Sequence, residues 1–423
     1  MTKILCSFVP KDSKEIPYHI GGKIYKGKST IEALCSYYLS NEEDIKVILI
    51  KPETIDIKEE IELRKKLISL GVNEDKIITQ EIPMKGFYEN KYYDIDNTII
   101  ADFIFLTLNE NTDDKAEEVI LDVSRGINFL VLTAVDAFRR FIVAQKARYY
   151  NKANKLDKLE YFYVYLTPKK PNFEEGEISL EKASAPFFFD FFTKKGLPFN
   201  FEAEKLDYFK EFNFTKNIIS HVNSCITAIK RGFALAYLTF IPWSEIKDLI
   251  SLSHEKLSLK RLKELVKEFS YENENQKKVK FKMNYPLGNL WIYVHLLNTF
   301  YEIYKDYENQ ITYEENRKWV PLSTLKNFNE KVIKKLFEEN SASIILSREI
   351  NDFEQNLKKG EIKKTGRSPN YERNFNAHAG LICEFIDQNP QNFSISYRFN
   401  EILDETKKDK IENYIKYFLE HKK

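Results

Sequence analysis

Leu121-Asp122-Val123-Ser124-Arg125-Gly126-Ile127-Asn128 carries the chain from a β-branched run, Val119–Val123, into a helical stretch, Phe129–Tyr149. A strand that turns directly into a helix is the repeating joint of an α/β sheet, whose ligands bind at the carboxyl ends of the strands. Gly126 there offers close backbone approach or a positive φ, while Ser124, Arg125 and Asn128 offer short polar donors and a positive charge. The same residues also suit an ordinary strand–helix turn with Ser and Asn as caps. Outward from this joint the alternation continues. Strand candidates are Ile4–Val9, Lys46–Ile50, Lys76–Ile82, Phe103–Leu106 and Tyr161–Leu166, with helix-like segments at Thr30–Leu39 and Lys58–Leu70. This pattern predicts a Rossmann-like, mostly parallel sheet with helices on both faces.

Breakers then cluster at Pro168, Pro171, Gly176, Pro186, Gly196 and Pro198. They divide the chain into an α/β domain over 1–185, a junction over 186–205 and a helical domain over 206–423. Phe187, Phe188, Phe189, Phe191 and Phe192 are too apolar for an exposed linker and are expected to pack at the junction. Beyond it, Asn217–Leu238, Leu257–Phe269, Leu290–Tyr304, Leu325–Phe337 and Tyr371–Ile386 show apolar spacings of three and four. They predict an all-α C-terminal domain with a basic, glycine-containing loop at Lys358–Arg367.

A chain of 423 residues exceeds one ordinary core, so two domains are expected. Hydrophobic residues at 43% and aromatics at 14% exclude a disordered class. With 65 basic residues against 64 acidic, any nucleic-acid contact must come from a local patch. Cys6, Cys35, Cys225 and Cys383 form no CxxC pair, which argues against a zinc site; Cys6, Cys35 and Cys383 read as buried free thiols. The longest apolar run, Ile127 to Ala147, is interrupted by Asp136, Arg139 and Arg140, so no membrane span is expected. Met1-Thr2-Lys3-Ile4-Leu5-Cys6 reads directly into a strand rather than a signal peptide, and a cytoplasmic location is expected.

Gly22-Lys23-Ile24-Tyr25-Lys26-Gly27-Lys28-Ser29 matches the P-loop pattern G-x-x-x-x-G-K-[ST] letter for letter. A P-loop needs a buried strand leading straight into the glycines, and Ile4–Val9 ends a dozen residues too early. Ile16–Ile20 and Lys23–Lys26 read instead as a hairpin turning at Gly21-Gly22. Lys28, Ser29 and Thr30 then open a helix whose N-terminus can face an anion.

The remaining motif is Tyr371-Glu372-Arg373-Asn374-Phe375-Asn376-Ala377-His378-Ala379-Gly380-Leu381. On a helix, positions five apart sit about 140° round the axis, so Arg373 and His378 do not share a face, whereas Asn374 and His378 do. Arg373 must reach round or complete a site with a second copy of the chain. Cleaving RNA through its own 2′-hydroxyl needs an acid or base near neutrality and a cation for the charge that builds on phosphorus. His378 and Arg373 supply those groups, Asn374 can orient either, and no metal is required. A lone histidine beside an apolar stripe is also an ordinary core residue, and that alternative stays open.

These features, in this order, resemble the CRISPR-associated CARF–HEPN ribonucleases, ancillary effectors of type III systems. The HEPN signature, R-x4-6-H with a polar residue after Arg, stands here as Arg373-Asn374-Phe375-Asn376-Ala377-His378, followed by Ala379-Gly380. The CARF half is similar through Asp122-Val123-Ser124-Arg125-Gly126-Ile127-Asn128. The resemblance implies a homodimer or larger homo-oligomer whose CARF domains bind a cyclic oligoadenylate, with cyclic tetraadenylate the expected ring, as allosteric activator. It implies HEPN sites that then cut single-stranded RNA without metal or cofactor, leaving a 2′,3′-cyclic phosphate, in antiviral defence. Ser124, Gly126 and Asn128 would line the activator pocket. Arg125 stands where a histidine is often found, and Lys28, Ser29 and Thr30 are further candidates. The rival readings are a CARF-type nucleotide-sensing DNA-binding regulator, a P-loop NTPase using Gly22–Ser29 with Asp122 on the metal, and a helical interaction protein.

Overall fold

The computed structural model describes residues 2–11, 14–124, 128–149, 159–170, 174–184, 212–280, 287–314, 317–336, 341–361, 371–399, 402–404 and 409–420. Contacts divide the chain into two units. The first holds Met1–Phe212 together with Leu252–His295, and the second holds Asn213–Ser251 and Leu296–Lys423. The expected junction, its phenylalanines included, and most of the Lys358–Arg367 loop lie outside the described residues.

The N-terminal elements are β1 (Thr2–Phe8), β2 (Ile16–Ile20), β3 (Lys23–Gly27), α1 (Thr30–Ser40), β4 (Asp44–Pro52), α2 (Ile57–Ser69) and β5 (Ile77–Ile82). There follow β6 (Gly86–Tyr88), β7 (Lys91–Asp94), α3 (Asn97–Asn111), β8 (Ala116–Asp122), α4 (Asn128–Arg148), β9 (Glu160–Pro168) and β10 (Gly176–Lys182). Eight strands form one sheet in the order β3-β2-β10-β9-β8-β1-β4-β5. The five from β9 to β5 are parallel, as the βαβ alternation predicts. Their centres are continuous apolar runs, Ile4–Cys6, Val47–Ile50 and Val119–Leu121, all buried, because helices cover both faces of a parallel sheet. From β1 the chain crosses to β4 on one side and returns later as β8 on the other. The strand order therefore reverses between β1 and β8, and the crevice at their carboxyl ends is where an open α/β sheet binds ligands.

The Gly21-Gly22 hairpin is present, with β2 and β3 antiparallel and φ of +56° and +79° at the two glycines. Positive φ at both central residues is the type I′ hairpin turn, which settles the local fate of the P-loop-like stretch: its first glycine serves a turn beside the sheet's edge. Phe103–Leu106, expected as a strand, lies inside α3. Every residue of α3 from Ile99 to Asn109 is buried, and a helix enclosed on all sides loses the apolar period that would reveal it.

The later elements are α5 (Phe212–Lys230), α6 (Ala234–Thr239), α7 (Trp243–Lys256), α8 (Leu259–Glu268), β11 (Ser270–Glu272), β12 (Gln276–Val279) and α9 (Leu287–Glu308). They continue with β13 (Thr312–Glu314), β14 (Arg317–Pro321), α10 (Leu322–Phe328), α11 (Ser341–Lys358) and α12 (Tyr371–Ala377), then β15 (Ile386–Asn389), β16 (Ser394–Tyr397), β17 (Ile402–Asp404), β18 (Asp409–Lys410) and α13 (Ile411–Glu420). The C-terminal region is helical but not all-α. A four-stranded sheet, β13-β14-β16-β15, is built into the second unit. Its strands are three to five residues long, too short for a period of two to stand out in the sequence.

Residues 252–295, expected in the helical domain, belong with the first unit, and α3 shows why. Glu110 Oε1 accepts the Leu259 N–H at 2.7 Å, at the start of α8. Asp102 accepts the Leu287 and Gly288 N–H groups at 2.9 and 3.1 Å, the first two of α9. Two carboxylates of one buried helix thus satisfy helix-start donors that would otherwise be orphaned. β12 also pairs with β7, and His295 Nε2 meets Asn109 Oδ1 at 3.1 Å. Burial pushes the Asp102 carboxyl up to about 7, against the pull of the two N–H groups. An acid whose folded value is raised contributes stability below its unfolded value, about 3.9, and that contribution is lost as pH rises toward the folded one. Stability is therefore expected to fall between about pH 4 and pH 7, and to fall less steeply in Asp102→Asn, as read from urea midpoints across that window.

Candidate functional site

In the first unit the crevice between β1 and β8 gathers several sequence-predicted residues. Ser29 is the N-cap of α1, its Oγ accepting the Glu32 N–H at 3.4 Å. Glu32, buried, reaches back to accept the Ser29 hydroxyl and the Lys28 N–H, both at 3.0 Å. This is a variant of the Ser-x-x-Glu capping box, in which Glu32 takes the N–H before the cap and not the cap's own. Thr30 Oγ1 lies 2.6 Å from Ser124 Oγ, joining the start of α1 to the end of β8 across the switch point. Beneath them Asp122 is buried at 3% exposure. It accepts the Ser7 hydroxyl at 2.8 Å, the Ser124 N–H at 2.9 Å and the Ser124 hydroxyl. Burial holds this carboxyl above its ordinary value, and the hydroxyl and amide bonds from Ser124, Ser7 and Thr30 oppose that rise.

Ser29, Thr30 and Ser124 are thus brought together, with Ser29 engaged in capping and Lys28 exposed at the rim. Arg125 and Gly126 lie outside the described residues; Asn128 is the first residue of α4, and its side chain is likewise outside them. Sequence reasoning missed Ser7 and Glu32. Ser7 could have been found as the one polar side chain in the buried run Ile4–Val9, and Glu32 as the third residue after a Ser cap. Both Asp122 oxygens accept protein hydrogen bonds, so in this structure the carboxylate, assigned to the metal in the NTPase reading, is engaged by Ser7 and Ser124. A cavity of about 570 Å³ lies alongside, between the start of α1 and α2. Its charges are Glu15, Glu32, Glu59 and Glu62 against Lys28, Lys65 and Lys66, a poor match for a polyanionic ligand.

In the second unit the expected helix Tyr371–Ile386 is much shorter. α12 ends at Ala377 in a Schellman motif, with Gly380 N–H bonded to Phe375 O at 2.8 Å and Ala379 N–H to Asn376 O at 3.4 Å. Ala379 and Gly380 take φ of +48° and +77°, a turn that reverses the chain before any further helix can form. His378 is the C-cap residue; its N–H still bonds Asn374 O at 2.9 Å, so those two remain one turn apart. Phe375 anchors the motif, stacking on Phe418 at 4.4 Å and meeting Phe233 edge-on at 4.7 Å. Arg373 is exposed and Asn374 half-buried.

The group that meets the His378 ring is one the sequence reading missed. His378 Nδ1 lies 3.0 Å from Glu349 Oε1, with the ring 35% exposed and the carboxylate 2% exposed. Arg348 Nη2 approaches the same oxygen at 3.2 Å. A signal existed, since Glu349 interrupts the inward row Ala342, Leu346, Ile350, Phe353 and Leu357 of α11. A charged residue on such a face requires a partner. All four cysteines are free and buried. Among the described residues no helix is long and apolar enough to cross a membrane, and no cluster of three or more His, Cys, Asp or Glu could hold a metal ion.

An open, mostly parallel sheet with a polar cluster at its switch point, followed by a helical region, defines a ligand-binding α/β domain joined to a second unit. The family model of the CARF domain of the CRISPR system endoribonuclease Csx1 matches residues 4–164. Residues 4–164 are thus similar to a CARF domain, and CARF domains bind cyclic oligoadenylates. Lys28–Thr30 and Ser124–Asn128 fall inside the matched stretch, whereas Arg373, Asn374 and His378 fall outside it. No curated protein matches the chain.

Proposed function

We propose that this chain is a cyclic oligoadenylate-activated, metal-independent endoribonuclease that cuts single-stranded RNA in type III CRISPR defence. The observation that carries the reading is the His378–Glu349 pair at the end of α12, in a chain whose residues 4–164 match a CARF domain. His378 exchanges protons with the 2′-hydroxyl or the leaving 5′-oxygen, and Arg373 offsets the charge developing on the phosphoryl oxygens. Asn374, one turn before His378, orients either group. In the first unit the activator is taken up at Ser124–Asn128 and the start of α1, where Thr30 and Ser124 already touch. Cyclic tetraadenylate is the expected ring, and a homodimer is the expected assembly, with Arg373 and His378 sites paired between copies.

Incubating the protein with a fluorescent single-stranded RNA in EDTA tests the reading. Cleavage is expected on adding cyclic tetraadenylate, with little in its absence, and with products ending in 2′,3′-cyclic phosphate. No cleavage with any cyclic oligoadenylate, with or without Mg²⁺, would overturn the reading and favour a nucleotide-sensing regulator.

A further inference from the structure

We infer that Glu349 is a positioning residue whose buried carboxylate fixes the tautomer and direction of the His378 ring, so that Nε2 is presented to the RNA. The inference rests on the ribonuclease reading and deepens it. A carboxylate only accepts hydrogen bonds, so the 3.0 Å contact places the proton of a neutral His378 ring on Nδ1 and the open lone pair on Nε2.

Both partners are held by their surroundings. Glu349 projects from the packed face of α11, flanked one turn away by Leu346 and Phe353, and Arg348 braces the same oxygen from the exposed side. The His378 backbone is fixed by the Schellman turn and by Phe375, wedged among Phe233, Phe385 and Phe418. Here the acid is buried and the ring reaches the surface, the arrangement of an orienting acid behind a working imidazole.

The chemistry this supports is an internal transesterification. The 2′-oxygen bonds to phosphorus as its proton leaves to a base, and the bond from phosphorus to the 5′-oxygen breaks as that oxygen gains a proton from an acid. No oxidant or co-reactant is consumed. Whichever transfer His378 performs, the charged ring is met at Nδ1–H by the Glu349 carboxylate.

Two substitutions separate orientation from charge. Glu349→Gln keeps a carbonyl oxygen where both Arg348 and His378 approach. Glu349→Leu is of similar size and leaves Nδ1 without an acceptor. Each variant is assayed with cyclic tetraadenylate on RNA, and the His378 tautomer is read from its ring ¹⁵N shifts. The leucine variant is expected to lose about 10²–10³-fold in kcat with KM little changed, and to lose the Nδ1–H preference. The glutamine variant, which keeps a carbonyl acceptor but no charge, is expected to keep that preference and to lose less kcat than the leucine variant. If wild type cuts RNA and His378→Ala does not, yet Glu349→Leu keeps full kcat or an unchanged tautomer, the positioning role is wrong while the ribonuclease reading stands. If wild type cuts nothing, that reading fails, and the ¹⁵N spectra alone decide whether Glu349 sets the ring.

Discussion

With activator saturating, His378→Ala should cleave RNA at least about 10³-fold more slowly than wild type, the loss expected when the group that transfers the proton is removed. The ring is 35% exposed, so its truncation opens no core cavity. The cost to folding is confined to Glu349, which loses one of its partners while Arg348 stays beside the same oxygen. About 1 kcal/mol of destabilisation is the expected scale for one such contact, enough to move a melting midpoint but not to unfold the protein. Activator affinity, read by calorimetry with cyclic tetraadenylate, should be unchanged, because every residue placed at the β1–β8 crevice belongs to the first unit. A variant that still cuts RNA at the wild-type rate would make His378 a structural residue and move the catalytic assignment elsewhere. A variant that fails to fold would be uninformative about rate alone, so its circular dichroism and its activator binding are measured alongside.

How much of this was legible depended on whether the chain advertises its surroundings locally. The strands of the parallel sheet were readable because a strand buried on both faces is a short, continuous apolar run. β1, β4 and β8 each lie within a few residues of where Ile4–Val9, Lys46–Ile50 and Val119–Val123 placed them. The Gly21-Gly22 hairpin was readable because two successive positive-φ positions call for glycine. Helix α3 was not, since burial on all sides erases its period. The assignment of 252–295 to the first unit was not legible either. It depends on Asp102 and Glu110 reaching helix starts more than a hundred residues away. In the second unit the R-x4-H spacing singles out Arg373 and His378, but the expected helix ran too far because Ala379 gives no hint of a left-handed turn. Glu349 was legible in principle, as an acid within the apolar row of α11.

Gly380→Ala should destabilise the second unit by about 2–4 kcal/mol, more than backbone strain alone explains. Gly380 has φ of +77°, and a Cβ added to it would lie 3.1 Å from Tyr397 Oη, 3.2 Å from the Phe375 ring and 3.3 Å from the Phe233 ring. All three side chains are fully buried and rigid, and the Tyr397 hydroxyl is itself bonded to the Gly380 carbonyl at 3.0 Å. None can retreat without breaking a contact that holds the turn. Gly360, at the end of α11, gives the control. Its φ of +71° is nearly the same, but nothing lies within 4 Å of its Cβ position, so Gly360→Ala should cost only about 1 kcal/mol. The difference between the two urea unfolding energies isolates the packing around the Schellman turn. Equal losses would mean that the aromatic cluster yields, and that the turn is held by its backbone bonds alone. If the cluster is as stiff as its burial implies, Gly380→Ala displaces the residue two places earlier, and His378 loses its register against Glu349. RNA cleavage per folded molecule should then fall in Gly380→Ala and stay at the wild-type level in Gly360→Ala, which ties the turn's stiffness to the chemistry of the ring it carries.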